Sequence, residues 1–340
     1  MELKDFDYEL PKELIAQTPI EPRDASRMLF LPKTQGEAQH SEFLHLPDFL
    51  APGDLLVFNK TRVIPARLLG QKETTGGQVE VFLLHQQEPD LWSCLVRPGR
   101  RLMPGTRLTF GGGLLKAEIV KRGPEGTRLV KFFWEGVFQE VLAKIGQVPL
   151  PPYIHEKLKD PERYQTVYGY APGSVAAPTA GLHFSPRVLQ ALADKGVESA
   201  EVILHVGMGT FKPVETERIE DHPMHSEYYQ VTGENREKIN RARAEGRRII
   251  AVGTTSLRTL EAVGQGGMMK EGSGWTDIFI YPGYRFQMAD GLLTNFHLPK
   301  STLLMLVSAL AGRERILKAY EEAVRQRYRF FSFGDCMLIL

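Results

Sequence analysis

Six short β-type runs between residues 63 and 134 interrupt a chain that elsewhere alternates strands with helices. Turn-forming breaks such as Thr75-Gly76-Gly77 and Gly111-Gly112-Gly113 separate these runs. The runs are Val63 to Leu69, Gln78 to His85, Leu91 to Arg97, Thr106 to Phe110, Leu114 to Val120 and Arg128 to Trp134. Strands this short, at this spacing, predict a small barrel or sandwich.

The flanking sequence has the pattern of an α/β protein. Leu55 to Asn59 and Arg248 to Val252 are apolar runs that predict buried strands, and the second leads through a glycine turn into a helix. A further strand is expected over Asp277 to Tyr281. Such alternation indicates a largely parallel sheet with helices on both faces. The predicted fold is therefore α/β, a layered sheet-and-helix domain (1–62 plus 151–340) with an inserted small β-barrel domain (63–150).

Composition excludes several classes of protein. No apolar run of about 18 residues is present, and the N-terminus lacks the apolar core of a signal peptide. The two cysteines, Cys94 and Cys336, form no CxxC pair. We therefore expect a cytoplasmic protein without a membrane partner. Residues 61–150 hold 13 Lys and Arg against 8 Asp and Glu, a net charge of +5 in a chain whose net charge is +1. This segment is the candidate for meeting a polyanion, or it is an ordinary solvated surface.

Four histidines follow apolar runs and stand beside glycine, threonine or serine. They are His183, His205, His225 and His297. Imidazole is the side chain that most readily transfers protons near neutral pH, and loops at strand ends often carry sites. Glu227 and Asp290 are the carboxylates that could share this work. Packed, hydrogen-bonded histidines are the alternative interpretation.

Binding features accompany these histidines. Thr254, Thr255, Ser256 and Arg258 follow a strand and a glycine at a predicted helix start, where backbone N–H groups attract anions or a side chain simply caps the helix. Small or flat ligands could be bound at Thr179, Gly181, Gly207, Gly209, Thr210 and Tyr281. His222, His225 and Glu227 raise the possibility of a metal site, although no HExxH motif occurs and we expect no metal.

A group of cations at and after the first domain junction could neutralise phosphates, or could be solvated turn residues. The group comprises Lys60, Arg62, Arg67, Arg97, Arg100 and Arg101.

Long motifs throughout the chain resemble one family. The motifs are NKTRVIPARL, APTAGLHF, HVGMGTF, HSEYY, VGTTSLRTLE, FIYPGYRF and LLTNFHLPKSTLLMLVSALAG. In this order they resemble the S-adenosylmethionine:tRNA ribosyltransferase-isomerases of queuosine biosynthesis, over nearly the whole chain. The resemblance implies an α/β domain with an inserted β-barrel.

The same resemblance implies the reaction. The ribosyl part of S-adenosylmethionine is transferred to 7-aminomethyl-7-deazaguanine at the tRNA wobble position and isomerised, which gives epoxyqueuosine and releases adenine and methionine. S-adenosylmethionine is consumed as ribosyl donor, no cofactor is needed, and a monomer is expected. On this basis His183, His205, His225 and Glu227 are hypothesised to line one site, with Asp290 and His297 as further candidates. A non-catalytic RNA-binding protein and a metal-dependent hydrolase remain the alternatives.

Overall fold

The computed structural model of the protein describes residues 1–156, 158–207 and 214–340, the side chain of Glu125 excepted. The strands of these residues are, in chain order, β1 (Arg27–Leu31), β2 (Gln39–Glu42), β3 (Leu55–Asn59), β4 (Thr61–Val63), β5 (Arg67–Lys72), β6 (Gln78–Glu88), β7 (Leu91–Arg97), β8 (Arg107–Phe110), β9 (Leu115–Arg122), β10 (Arg128–Trp134), β11 (Gly146–Gln147), β12 (Ala171–Ser174), β13 (Glu198–Leu204), β14 (Glu227–Val231), β15 (Ile249–Val252), β16 (Gly272–Thr276), β17 (Gly291–Asn295) and β18 (Cys336–Ile339). The α-helices are α1 (Phe138–Ile145), α2 (Pro186–Asp194), α3 (Gly233–Ala244), α4 (Thr254–Val263), α5 (Thr302–Ala311) and α6 (Arg313–Arg325).

The chain forms two compact units. The first comprises residues 1–61, 152–171 and 177–340, and the second comprises residues 62–151 and 172–176. The predicted domains divide the chain near the same points, and the structure adds residues 172–176 to the second unit.

The first unit is organised around a nine-stranded sheet in the order β16-β14-β13-β3-β15-β17-β18-β1-β2. Its centre is parallel: β3 pairs in parallel with β13 and β15, and β15 pairs in parallel with β17. β18 and β1 are parallel to each other but antiparallel to β17, while β2, β14 and β16 pair antiparallel with their neighbours. The sheet is therefore mixed, and the expected parallel arrangement holds only for its centre.

Alternate residues of the central strands enter two apolar cores, one on each face, because successive side chains of a strand point to opposite sides. Leu55 and Val57 of β3 join the core that contains side chains of α3, α4, α5 and α6. Leu56 and Phe58 join the core that contains Val188 and Leu192 of α2. Helices therefore cover both faces, as the alternating pattern predicts. None of the helices in the described residues is long and apolar enough to cross a bilayer.

Side-chain caps fix where several of these helices begin. The Ser185 hydroxyl accepts a hydrogen bond from Val188 N at 3.3 Å, and Pro186 occupies the first turn, where its missing N–H costs nothing. Thr232 and Ser301 cap α3 and α5 in the same way. The helix starts are thus encoded locally, at residues that the sequence identifies.

The second unit contains a closed six-stranded antiparallel barrel in the order β5-β6-β7-β10-β9-β8, with β8 pairing back onto β5. Its inward side chains are apolar and alternate along each strand, as with Val81 and Leu83 of β6. The barrel prediction is confirmed.

Two strand predictions differ from the structure. The run Val63 to Leu69 is divided between β4 and β5, because Pro65 lacks the N–H that a continuous ladder needs. The strand expected over Asp277 to Tyr281 is wrong: the edge strand β16 ends at Thr276. Aromatic residues there contribute to packing rather than to sheet pairing, which β propensity alone does not distinguish.

Candidate active site

The central strand β3 is a topological switch point: the chain continues to β13 on one side of it and to β15 on the other. The connections leaving the carboxyl ends of these strands diverge there, and α/β sheets bind ligands in the crevice that results. A ligand-binding site is therefore expected just beyond the carboxyl ends of β3, β13, β15 and β17.

Asn59, at the end of β3, joins three of these strand ends. Its amide nitrogen donates to Leu204 O at 2.9 Å and to Thr255 Oγ1 at 3.1 Å. Its amide oxygen accepts from the backbone N–H groups of Thr61 and Leu204, both at 3.1 Å. The side chain is fully buried, and these four bonds use both its amide hydrogens and both its oxygen lone pairs. Asn59 therefore fixes the ends of β3 and β13 against the start of α4.

His205 directly follows β13 within this network. Its Nδ1 lies 2.8 Å from Thr61 Oγ1. The imidazole ring stacks on the ring of Tyr228, with 5.6 Å between the ring centres and an interplanar angle of 18°. Burial lowers the pKa of His205 to about 4, so the ring is neutral at pH 7. The Thr61 hydroxyl also lies 3.5 Å from Ala171 O. We assign its single proton to that carbonyl, which leaves the proton of His205 on Nδ1 and a lone pair on Nε2.

Glu227, at the start of β14, forms a buried ion pair with Arg258 of α4, and both side chains are almost fully buried. The carboxylate also accepts a hydrogen bond from Gly207 N at 3.0 Å. It thereby holds the segment that follows His205. These two contacts hold Arg258 and Gly207 in position, and the hypothesised role of Glu227 in proton transfer stays a prediction.

The first turn of α4 begins at Gly253, where φ is +86°, a conformation that glycine adopts without strain. The predicted anion-binding side chains of this turn are mostly engaged. The Ser256 hydroxyl is fully buried and donates to Val252 O at 2.8 Å. Thr255 Oγ1 accepts from Asn59, and Arg258 is paired with Glu227. Among the described residues, Arg258 Nη2 is a buried donor without a partner.

The segment with Thr179 and Gly181 forms a 3-10 turn, Thr179–His183, beside the start of α4. A Cβ on Gly253 would lie 3.7 Å from the Ala180 Cβ. A Cβ on Gly181 would lie 2.1 Å from the Tyr168 hydroxyl, so packing alone explains this glycine. Thr179 is half-buried in the same turn.

His183 and His297 are buried, and one ring nitrogen of each bonds a hydroxyl group. His183 Nδ1 bonds the Ser26 hydroxyl at 2.7 Å and its ring packs against Phe43. His297 Nε2 bonds the Thr294 hydroxyl at 3.0 Å, and its backbone N–H donates to the Tyr320 hydroxyl. Burial lowers the pKa of His183 to about 4 and that of His297 to about 3.

Asp290 lies at the opposite edge of the sheet, which corrects its assignment to the site. It precedes β17, and its carboxylate accepts from Ile249 N, at the start of β15, at 2.8 Å. The five residues of β17 separate this edge from the carboxyl edge, about 16 Å at 3.3 Å per residue.

The remaining candidates lie near the antiparallel strands β14 and β16 or outside the residues that the structure describes. His225 is half-buried near His222, whose ring makes an edge contact with Phe279, and Phe279 packs against Tyr281. Gly209 and Thr210 lie outside the described residues. In the described part of the chain, no set of three or more His, Cys, Asp and Glu side chains could hold a metal ion.

The hypothesis of one pocket lined by four imidazoles stays a prediction. Within the described ranges, no hydrogen bond or ring contact joins any two of His183, His205, His225 and His297. The structure instead brings together His205, Thr61, Asn59 and Thr255. The sequence motifs do not assign a chemical role to Asn59 or Thr61. Polar residues directly after a fully apolar strand are nevertheless a usable signal of site residues.

The predicted phosphate-binding cations differ in their surroundings. Lys60, in the first unit, pairs with Glu201 at 3.1 Å and lies 4.8 Å from the Tyr168 ring centre. In the second unit, Arg67 pairs with Glu80 at 2.9 Å, and Arg62 is half-buried. The other three, Arg97, Arg100 and Arg101, are exposed. The cations therefore do not form one equivalent set.

The fold is of the α/β class with an inserted antiparallel barrel, and a polar network lies at the switch point of its sheet. Residues 3–339 match the queuosine biosynthesis protein family. The chain belongs to that family.

Relatives cover its full length. A Carboxydothermus hydrogenoformans protein named S-adenosylmethionine:tRNA ribosyltransferase-isomerase is 62% identical over 340 residues, 100% of both chains. A Desulfitobacterium hafniense protein of the same name is 57% identical over 341 residues, also 100% of both chains. The crystal structure of S-adenosylmethionine tRNA ribosyltransferase from Thermotoga maritima is 44% identical, with a TM-score of 0.57 over 99% of this chain and 100% of that chain.

Proposed function

We propose that this chain is an S-adenosylmethionine:tRNA ribosyltransferase-isomerase. It transfers the ribosyl group of S-adenosylmethionine to 7-aminomethyl-7-deazaguanine in tRNA and isomerises it to the epoxycyclopentanediol of epoxyqueuosine, with release of adenine and methionine. The full-length relatives of that name support the activity. The observation that carries the site is the network of His205, Thr61 and Asn59 at the switch point of the sheet.

This chemistry requires proton transfer without a redox step. The sulfonium of S-adenosylmethionine acidifies the ribosyl C–H next to sulfur, and the substrate amine must lose a proton before it attacks. His205 is the base in this proposal, because its ring is neutral at pH 7 and its Nε2 carries the lone pair. Thr61 holds the tautomer through Nδ1. S-adenosylmethionine is consumed as the ribosyl donor, and no cofactor is required.

The methionine carboxylate needs a cationic partner. Arg258 Nη2 supplies a buried donor, since Glu227 occupies the other terminal nitrogen of the guanidinium. The backbone N–H groups of Thr254 and Thr255, at the start of α4, add positive potential in the same region. Glu227 keeps Arg258 and Gly207 in place.

The macromolecular substrate is tRNA with the modified base at the wobble position. The second unit, with its net charge of +5, is the polyanion-binding part in this proposal. In this proposal the protein acts in the cytoplasm as a monomer. It needs neither a membrane nor a protein partner.

Adenine release from S-adenosylmethionine, measured with and without tRNA that carries 7-aminomethyl-7-deazaguanine, tests the proposed function. We expect release only with that tRNA, and epoxyqueuosine in the recovered tRNA. Absence of both products with the folded protein would refute the assignment.

Replacing His205 tests its role as the base. His205→Gln is expected to lower kcat by roughly 100-fold to 10,000-fold, the usual contribution of a general base, while tRNA binding stays at the wild-type level. His45→Ala is the matched control, because His45 is an exposed histidine of the same unit. Wild-type turnover by His205→Gln would exclude His205 from the mechanism.

A further inference from the structure

Arg128, the first residue of β10, is a buried arginine bonded to backbone carbonyls. Its exposed fraction is 6%. Its Nε donates to Leu102 O at 3.1 Å and its Nη2 to Gly99 O at 2.7 Å. Its Nη1 donates to Gly126 O at 2.9 Å and Thr127 O at 2.8 Å. Within the described residues no carboxylate pairs with this guanidinium, so its positive charge is not neutralised locally.

The turn that Arg128 holds, Arg97–Met103, carries three exposed arginines of the second unit. Arg97, Arg100 and Arg101 are exposed, and none pairs with a carboxylate among the residues that the structure describes. Lys72 Nζ donates to Arg101 O at 2.8 Å, and the Arg122 guanidinium contacts Met103 Sδ, so two more cations reach this turn.

Three other exposed cations of the unit are paired with carboxylates. Arg107 pairs with Glu118 at 3.8 Å, Lys116 with Glu73 at 4.0 Å, and Lys131 with Asp90 at 3.2 Å. The Arg97–Met103 turn therefore differs from them in carrying three arginines without a carboxylate partner among the described residues.

Resting on the proposed function, we infer that the Arg97–Met103 turn binds the phosphodiester backbone of the tRNA substrate, and that Arg128 is the positioning residue that fixes the turn for this contact. A buried charge without an ionic partner is costly, and a carboxylate beside it would lower that cost. A carboxylate would also cancel one positive charge beneath the surface that meets the RNA. Backbone carbonyls bind the guanidinium while leaving its charge in place.

The experiment measures the salt dependence of tRNA binding to the full-length protein. In R97A/R100A/R101A the slope of log Kd against log salt concentration is expected to fall by about two to three, the loss of three phosphate contacts. The KM for S-adenosylmethionine stays unchanged. The control, R107A/K116A/K131A, removes the same charge from paired cations and is expected to keep nearly the wild-type slope.

Arg128 is tested by two substitutions. Arg128→Met removes one charge, yet it is expected to lower the slope as much as the triple variant does, because all three arginines lose their position. Arg128→Lys keeps the charge but cannot reach four carbonyls, and it is expected to give the same loss. If Arg128 acted only through its charge, Arg128→Lys would keep the wild-type slope of log Kd against log salt concentration. Thermal unfolding and near-UV circular dichroism show whether each variant is folded; if Arg128→Met unfolds, Arg128→Lys decides.

A wild-type slope in the triple variant, or in folded Arg128→Lys, would overturn the inference. That result is distinct from failure of the proposed function, in which the wild-type protein itself releases no adenine.

Discussion

At the residue scale, hydrogen-bond and ring partners separate histidines that look alike in the sequence. His183, His205 and His297 each follow an apolar run beside small polar residues, and each has a depressed pKa because of burial. Only His205 joins the polar network at the switch point. The other two rings are packed against Phe43 and bonded to Thr294, respectively. The sequence pattern predicts where a strand ends, but it does not predict which residues surround the imidazole. Those neighbours come from distant parts of the chain.

The buried pair Glu227–Arg258 predicts a large effect on stability. Glu227→Gln would leave the Arg258 guanidinium buried without a charged partner, and we expect the free energy of unfolding to fall by about 3–5 kcal/mol. Urea denaturation measures this change.

Glu201→Gln is the control for that prediction. Glu201 pairs with Lys60, which directly follows the neighbouring strand β3, but Glu201 is about one-third exposed, so its loss is expected to cost under about 1 kcal/mol. Equal costs for the two variants would contradict the structural role of the buried pair.

At the element scale, the site depends on how strand ends meet the first turn of α4. Apolar runs predict β3 and β15 closely, and Ser185 with Pro186 predicts the start of α2, because these signals are local. The edge strand β16, with Gly272 and Gly274, has no such signal. Its pairing with β14 is set by tertiary contacts rather than by a local pattern. The apolar pattern therefore predicts a strand over Asp277 to Tyr281 instead.

The start of α4 provides a prediction at this scale. Gly253 has φ of +86°, so Gly253→Ala should destabilise the protein by about 1–3 kcal/mol and displace Thr255 from Asn59. Chemical denaturation measures the first effect, and turnover of S-adenosylmethionine measures the second.

Gly77→Ala, in an exposed turn of the second unit without a positive φ, should change stability by less than about 0.5 kcal/mol. If both alanine variants behave alike, backbone strain at Gly253 is not what selects glycine there.

At the scale of the whole molecule, two buried imidazoles and one half-buried imidazole, all with lowered pKa values, link stability to pH. Their pKa values in the folded state lie below the usual value near 6.5, so the unfolded chain takes up protons first on acidification. Stability is therefore lost as pH falls from about 6.5 towards 4, by roughly 1.4 kcal/mol per pH unit for each fully buried ring.

His183→Asn tests this linkage, because asparagine keeps a polar atom near the position of Nδ1 for Ser26. Between pH 6 and 4.5 the unfolding free energy of the variant should depend less steeply on pH, by roughly 1.4 kcal/mol per unit. Unfolding curves at a series of pH values give the slope, with His45→Asn as surface control. An unchanged slope in His183→Asn would mean that the ring is protonated as readily in the folded protein as in the unfolded chain.

At this scale, the predicted domain boundaries rest on a visible change in strand length and turn spacing near residues 61 and 151. The composition of the site cannot be predicted from such a change, since Asn59, His205 and Thr255 come from separate segments that only the strand order β13-β3-β15 places together. Strand order is a global property, and short apolar runs do not encode their neighbours.

The closure of β8 onto β5 has a consequence for solubility. A sheet with open edges offers unpaired backbone groups to other chains, and a polyanion that gathers several copies of a protein would promote such pairing. The six barrel strands are each paired on both sides. The inserted unit therefore does not offer those six strands as templates for aggregation.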